Sequence, residues 1–252
     1  MSIREFENAV HRIILRCGWR VQRAGPAPHG WEAGRAYWDA AYIRRLGFRP
    51  QTIVDVGVGH GTPDLYEAFP EAQLVLVEPV EEFFQGVAEI LARRPGVHIP
   101  AAAWSCEGEV EMRVKPHFME GSSHYCNPRS DGSIQPYTPR TVPATTIDRI
   151  IADHAFPEPF GLKIDTEGAE LEIIRGAAAA LERTEFVIAE VGVLHNRYAG
   201  SYSFAEFISA MDQAGFEVCD LLGIGRTDSS LVDFVDLVFR RSADGSRITS
   251  SF

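Results

Sequence analysis

Thr52-Ile-Val-Asp-Val-Gly-Val-Gly-His-Gly61 is the stretch on which the fold turns. Residues 52–56 form a short apolar run rich in β-branched side chains, the pattern of a strand buried on both faces. Asp55 lies near its end and is followed by glycines at every second position, Gly57, Gly59 and Gly61. Glycine reaches positive φ without strain and lets a ligand approach the main chain where a Cβ would clash. After the first strand of an open α/β sheet, such a loop is where nucleotide-like ligands bind. The dinucleotide fingerprint GxGxxG would need its third glycine at Thr62. An acidic residue before GxGxG suits S-adenosylmethionine better, because its amine and sulfonium are cationic and it brings no diphosphate. Asp55, Gly57, Gly59, His60 and Gly61 are therefore candidate cofactor-binding residues, against the plainer reading of a tight glycine turn.

Outward from this loop, strand-like runs alternate with helical periods. QLVLVE (73–78) precedes a helix carrying Val80, Phe83, Phe84, Val87, Ile90 and Leu91, and VHIPAAA (97–103) follows. FGLKID (160–165) leads into a helix from Gly168 to Leu181. FVIAEV (186–191) precedes a helix with Phe204, Phe207, Ile208 and Met211, opened by a capping box from Ser203 to Glu206. The chain closes with GFEVCDLL (215–222) and FVDLVFR (234–240), joined by a link too short for a crossover helix. This order predicts an α/β fold, a mostly parallel seven-stranded sheet with helices on both faces and an antiparallel edge strand.

Glu78 closes the second strand 23 residues after Asp55, near the ~20-residue spacing at which a carboxylate meets ribose hydroxyls. The competing reading is a first-turn carboxylate favoured by the helix dipole, since Glu81 and Glu82 follow. Pro79 stops the strand. Ala102, Ala103 and Trp104, small residues then a bulky one at the expected end of the third strand, suggest a flat slot for adenine. The 252 residues carry a net charge of −11, which disfavours nucleic acid and anionic membrane as partners and suits a neutral or cationic small molecule. Cys17, Cys106, Cys126 and Cys219 form no CxxC pair and read as reduced, mostly buried thiols. With no apolar run of about 18 residues and charged residues at the N-terminus, a cytoplasmic location is expected. Residues 1–50 read as an N-terminal helical extension and candidate homodimer interface, 51–241 as the main domain and 242–252 as a tail. Residues 115–143, rich in Ser, Gly, Pro and aromatic side chains, read as a lid or acceptor loop.

Lys163-Ile-Asp-Thr-Glu-Gly-Ala-Glu170 concentrates carboxylates at a strand end and in the first helical turn, which packing alone does not explain. Together with Thr146-Ile147-Asp148 upstream, this string resembles the hallmark of the FkbM family of S-adenosylmethionine-dependent methyltransferases. The resemblance runs from about Thr52 to Arg240. Its first loop departs from the family's D-V-G-A-N-x-G by having Gly59 where asparagine is usual, which keeps the backbone cradle and removes one side chain. Val77-Glu78-Pro79 and Glu190 also match. The resemblance implies a class I methyltransferase fold and O-methylation of a hydroxyl on a sugar, polyketide or other secondary metabolite.

An aliphatic alcohol needs a base or a metal to become a nucleophile. Asp165, Glu190 and His195 fall at or just after the ends of the fourth and fifth strands and are the catalytic candidates. His195 is the preferred general base. Alternatively, Asp165 and Glu190 hold a Mg²⁺ ion that polarises the hydroxyl. Asp165 also counts among the cofactor contacts. Two alternatives remain open to test: a nicotinamide-dependent oxidoreductase, and a non-catalytic scaffold whose cofactor site would be degenerate.

Overall fold

The computed structural model describes residues 38–116, 119–126, 136–194, 197–227 and 230–242. The amphipathic pattern at the N-terminus, Cys17, His117, His195 and the tail from 243 lie outside them. The first described helix, α1 (Ala40–Arg45), starts at Asp39, whose carboxylate accepts hydrogen bonds from the Ala41 and Tyr42 N–H groups. β1 (Thr52–Val56) follows, then α2 (Pro63–Ala68), β2 (Gln73–Val77), α3 (Phe84–Leu91) and β3 (Gly96–Ile99). After a separate block of short strands come α4 (Ile147–His154), β7 (Phe160–Ile164), α5 (Glu170–Arg175) and α6 (Ala178–Leu181). β8 (Thr184–Gly192), α7 (Phe204–Gln213), β9 (Phe216–Arg226) and β10 (Val232–Arg241) complete the main sheet.

Its strand order is β3-β2-β1-β7-β8-β10-β9. Side chains alternate across it with the two-residue period of a strand. Val54, Val56, Leu162, Ile164, Val187 and Ala189 pack on one face with α4 to α7, while Ile53, Leu74, Leu76, Phe186 and Ile188 pack on the other with α1 to α3. Helices thus cover both faces of a mostly parallel sheet, as expected. The antiparallel pairing also falls at the expected end, but its placement is finer: β10 runs antiparallel to both β8 and β9, so it lies one strand in from the edge.

Three details depart from the sequence reading. The run 97–103 is not one strand: β3 stops at Ile99, and Ala102–Ala103 form β4 of a second sheet, with β5 (Gly108–Val114) and β6 (Thr138–Thr145), in the order β4-β6-β5. Pro100 cannot donate to a ladder, so the main-sheet pairing ends there. The irregular segment 115–143 is correspondingly shorter, because its last residues belong to β6. Of the cysteines described, Cys106 is exposed and Cys126 and Cys219 are half-buried, not buried as expected. The Ser203–Glu206 capping box is present, and Thr146 caps α4 while Asp148 accepts from the Ala179 and Ala180 N–H groups. The Thr146-Ile147-Asp148 motif is therefore a joint between helices.

Phe186 is fully buried and stacks at 4.7 Å on Phe48 and at 5.5 Å on Phe69. Phe186→Ala should lower the free energy of unfolding by about 3–5 kcal/mol in a urea titration; a loss under about 1 kcal/mol would mean that this face of the sheet repacks.

Candidate active site

The carboxyl ends of β1, β2, β7 and β8 open into a cavity of about 620 Å³, in the usual range of ~300–1,000 Å³ for small-molecule sites. Its first wall is the loop Gly57–Gly61. Gly57 has φ +75°, and a Cβ there would lie 1.9 Å from the Asp165 carbonyl oxygen, so the backbones of the loop after β1 and the end of β7 come into direct contact. At Gly59, by contrast, a Cβ would meet nothing within 4 Å. That open cradle fits a ligand held against the main chain. Glu78 ties the rim together: one carboxylate oxygen accepts from Gly59 N–H at 2.9 Å and the other from Val80 N–H at 2.8 Å. Burial pushes the Glu78 carboxyl up against the pull of these two N–H groups.

Beneath the loop lies a buried ion pair. Lys163 Nζ is 3.1 Å from Asp55 Oδ1 and donates to the Gly57 carbonyl at 2.8 Å. Burial works against the lysine charge, but Asp55, Asp165 and Glu190 outweigh it and raise the Lys163 pKa. The other Asp55 oxygen accepts from the Thr62 and Tyr66 hydroxyls. Asp55 is fully buried and does not line the cavity, which corrects its expected role: it anchors the loop from below.

The second wall is the turn after β7. Glu170 accepts from the backbone N–H groups of Thr166 and Gly168 and from the Tyr202 hydroxyl, so its carboxylate shapes the turn. Asp165 and Glu167 project from that turn into the cavity, and Glu190 joins them from β8. Glu167 accepts from the Tyr198 hydroxyl. Burial, opposed by Arg197 and reinforced by Asp165, holds its carboxyl up at about 7. Burial and the neighbouring Asp165 and Glu167 push Glu190 well above the ordinary carboxylate range.

These three carboxylates each offer an oxygen within 4.8 Å of the others, the donor type that a hard divalent cation takes. The cluster already contains fixed cations, however. Arg197 Nη2 lies 3.1 Å from Glu190 Oε1 and 3.8 Å from Glu167 Oε2, and Lys163 Nζ lies 3.7 Å from Asp165 Oδ2. A Mg²⁺ ion would share its oxygens with two buried positive charges, so the expected Asp165–Glu190 metal site does not fit its surroundings.

Gly57, Gly59, His60, Gly61, Glu78 and Pro79 all reach the cavity, as do Ala102, Ala103 and Trp104, the last three from β4 and the residue after it rather than from the main sheet. His195 lies outside the described residues. His60 pairs with Glu120 at 2.9 Å across the cavity mouth and meets Phe83 edge-on at 5.1 Å. Sequence reasoning missed Trp38, which lines the cavity and donates to Asp236 at 2.7 Å, and Arg197, for which no spacing gave a signal. Glu167 was visible in the Lys163–Glu170 string, but nothing there separated it from its acidic neighbours.

Because Asp55 balances a buried ammonium, Asp55→Asn should cost about 3–5 kcal/mol of stability in chemical denaturation. An unchanged midpoint with weakened ligand binding would instead restore Asp55 as a direct contact.

Residues 55–218 match the family model described as the methyltransferase FkbM domain. The hexuronic acid methyltransferase AglP of Haloferax volcanii is 28% identical over 139 residues, 54% of each chain, so this chain spans about half the length of the curated relative it matches. Among solved structures, the FkbM methyltransferase of Methylobacillus flagellatus is similar with a TM-score of 0.49 at 14% identity, over 85% of this chain and 50% of that one. The magnesium protoporphyrin IX methyltransferase of Synechocystis, solved with bound S-adenosylmethionine, gives 0.44 at 13% identity over 81% and 76%. The family match begins at the aspartate under the glycine loop and runs through both acidic walls of the cavity, and the chain belongs to the FkbM family of methyltransferases.

Proposed function

We propose that this protein transfers the methyl group of S-adenosylmethionine to a hydroxyl group of a sugar. The observation that carries the reading is the charge of the cavity. Glu78, Asp165, Glu167 and Glu190 line it, against Lys163 as its one Lys or Arg among the described residues. Such a surplus favours a ligand bearing a sulfonium and an ammonium, and it disfavours the diphosphate of a nicotinamide cofactor. Glu78 takes the ribose hydroxyls, for which each of its oxygens keeps a second lone pair beside the N–H bond it already accepts. Gly57 to Gly61 offer the backbone cradle, and Pro79, Ala102, Ala103 and Trp104 the adenine slot. Asp165 faces the amino-acid end.

What the bound cofactor supplies is an electrophilic methyl group. The chain's own residues then align the acceptor oxygen with it and exclude water, the main source of rate in such a displacement. The sugar class is supported by the hexuronic acid named for the relative AglP. His124, edge-on to Trp104 at 5.1 Å, and Met112 and Met119 line the remaining wall and suit an acceptor ring. Of the expected lid or acceptor loop, residues 115–143, Met119, Glu120, Ser122 and His124 reach the cavity, and the His60–Glu120 pair joins that segment to the glycine loop.

Isothermal calorimetry should detect S-adenosylhomocysteine binding that falls tenfold or more in Glu78→Ala, since charge-assisted hydrogen bonds are worth ~1.5–3 kcal/mol each. Mass spectrometry of reactions with glycosides of neutral and acidic sugars should find a methyl ether; methylation at nitrogen or on a carboxylate alone would sink the hydroxyl reading. Deleting residues 127–135 should abolish turnover while the melting temperature stays within a few degrees. A large drop in melting temperature would show that this segment is part of the core.

A further inference from the structure

We propose that Glu167 is the base that takes the proton of the acceptor hydroxyl, an inference that rests on the hydroxyl-methylation reading above. The geometry singles it out. Glu167 adopts φ +58°, a left-handed conformation that a side-chain-bearing residue holds only when its surroundings enforce it. Here they do. The Glu170 carboxylate grips the N–H groups on either side, and the Ser123 hydroxyl donates to the Glu167 carbonyl. The following Gly168 packs so closely on Tyr198 that a Cβ there would come within 2.8 Å of its ring. The result is a residue only 8% exposed whose side chain nevertheless lines the cavity.

Its two oxygens are not equivalent. Tyr198 and Arg197 both address Oε2, whereas Oε1 receives no hydrogen bond among the described residues. One oxygen is therefore oriented and the other is free to receive a proton. Asp165 and Glu190 sit beside it but are each closer to a fixed cation, Lys163 at 3.7 Å and Arg197 at 3.1 Å. The negative charge of Asp165 makes proton uptake by Glu167 easier. In the transfer, the acceptor oxygen gives its proton to Glu167 Oε1 as it bonds to the methyl carbon. The carbon–sulfur bond breaks with its electron pair left on sulfur, which discharges the sulfonium. Products are a methyl ether, neutral S-adenosylhomocysteine and a carboxylic acid at Glu167, which returns its proton to water.

The test compares wild type, Glu167→Gln and His195→Ala on the panel of sugar glycosides, with S-adenosylhomocysteine affinity and melting temperature measured in parallel. Glu167→Gln should lose about 10²- to 10⁴-fold in kcat, while affinity for S-adenosylhomocysteine stays within about threefold and the protein remains folded. The loss should shrink for an acceptor analogue with fluorine beside the accepting hydroxyl, whose O–H is more acidic. EDTA should change none of the rates. Equal activity of Glu167→Gln and wild type, a parallel collapse of cofactor affinity, transfer of the kcat loss to His195→Ala, or abolition of turnover by EDTA would each overturn the proposal. A wild type that binds S-adenosylhomocysteine but methylates none of the panel overturns the acceptor reading and this proposal together, whereas an active wild type with an equally active variant overturns this one alone. Should Glu167→Gln fail to fold, Glu167→Asp withdraws the carboxylate by one methylene and should show the same split between kcat and affinity; an unchanged kcat there would count against the assignment.

Discussion

A single buried ammonium holds the working end of this molecule together. Lys163 reaches from β7 to the carboxylate of Asp55 on β1 and to the carbonyl of Gly57 in the loop above it, with Asp165 at the edge of the same charge. Glycines make the loop after β1 flexible by nature, and flexible backbone is a poor ligand cradle unless something fixes it. Here the fixing comes from below, through the lysine, and from the side, through the Glu78 carboxylate on Gly59. The lysine cannot leave without stranding a charge in the interior. Sheet and glycine loop are therefore tied together at the point where a ligand would press on them.

How much of this could be read from residues alone follows from what each residue answers to. β1, β2, β7, β8, β9 and β10 announce themselves because buried strands are short apolar runs and the helices between them carry 3.6-residue periods. The glycine loop and Glu78 are legible because close backbone approach and a carboxylate bonded to the Gly59 and Val80 N–H groups impose a local pattern. The second sheet was not legible: its strands alternate between a small core, Val110, Met112, Val142 and Ala144, and solvent, and they lie beside proline-rich loops. Nor was the split between Asp55 and Asp165, two aspartates at strand ends of which one is sealed beneath the loop and the other faces the cavity. Burial of that kind depends on which partner arrives from elsewhere in the chain, here Lys163, Thr62 and Tyr66. Arg197 and Trp38 were invisible for the same reason.

The acidic walls divide their work. Of the string Lys163 to Glu170, Lys163 secures the loop, Glu170 shapes the turn and Asp165 and Glu167 meet the cavity. A motif that looks like a block of catalytic carboxylates is thus partly scaffold, because a strained turn needs side chains to hold it. The same logic applies to Thr146-Ile147-Asp148, which reads as a functional signature and serves as a helix joint.

The position of β10 carries a consequence for where this domain begins and ends. The family match stops at residue 218, yet β10, residues 232–241, lies between β8 and β9 and supplies Asp236, opposite Glu190 and bonded to Trp38 on the cavity wall. A chain cut at the family boundary would expose the whole apolar edge of β8, Val187 to Val191, as an unpaired strand. Open edges of that kind recruit strands from other molecules. The boundary of the recognisable family is thus narrower than that of the cooperative folding unit, and a protein shortened to it would be directed toward self-association before it could bind anything else.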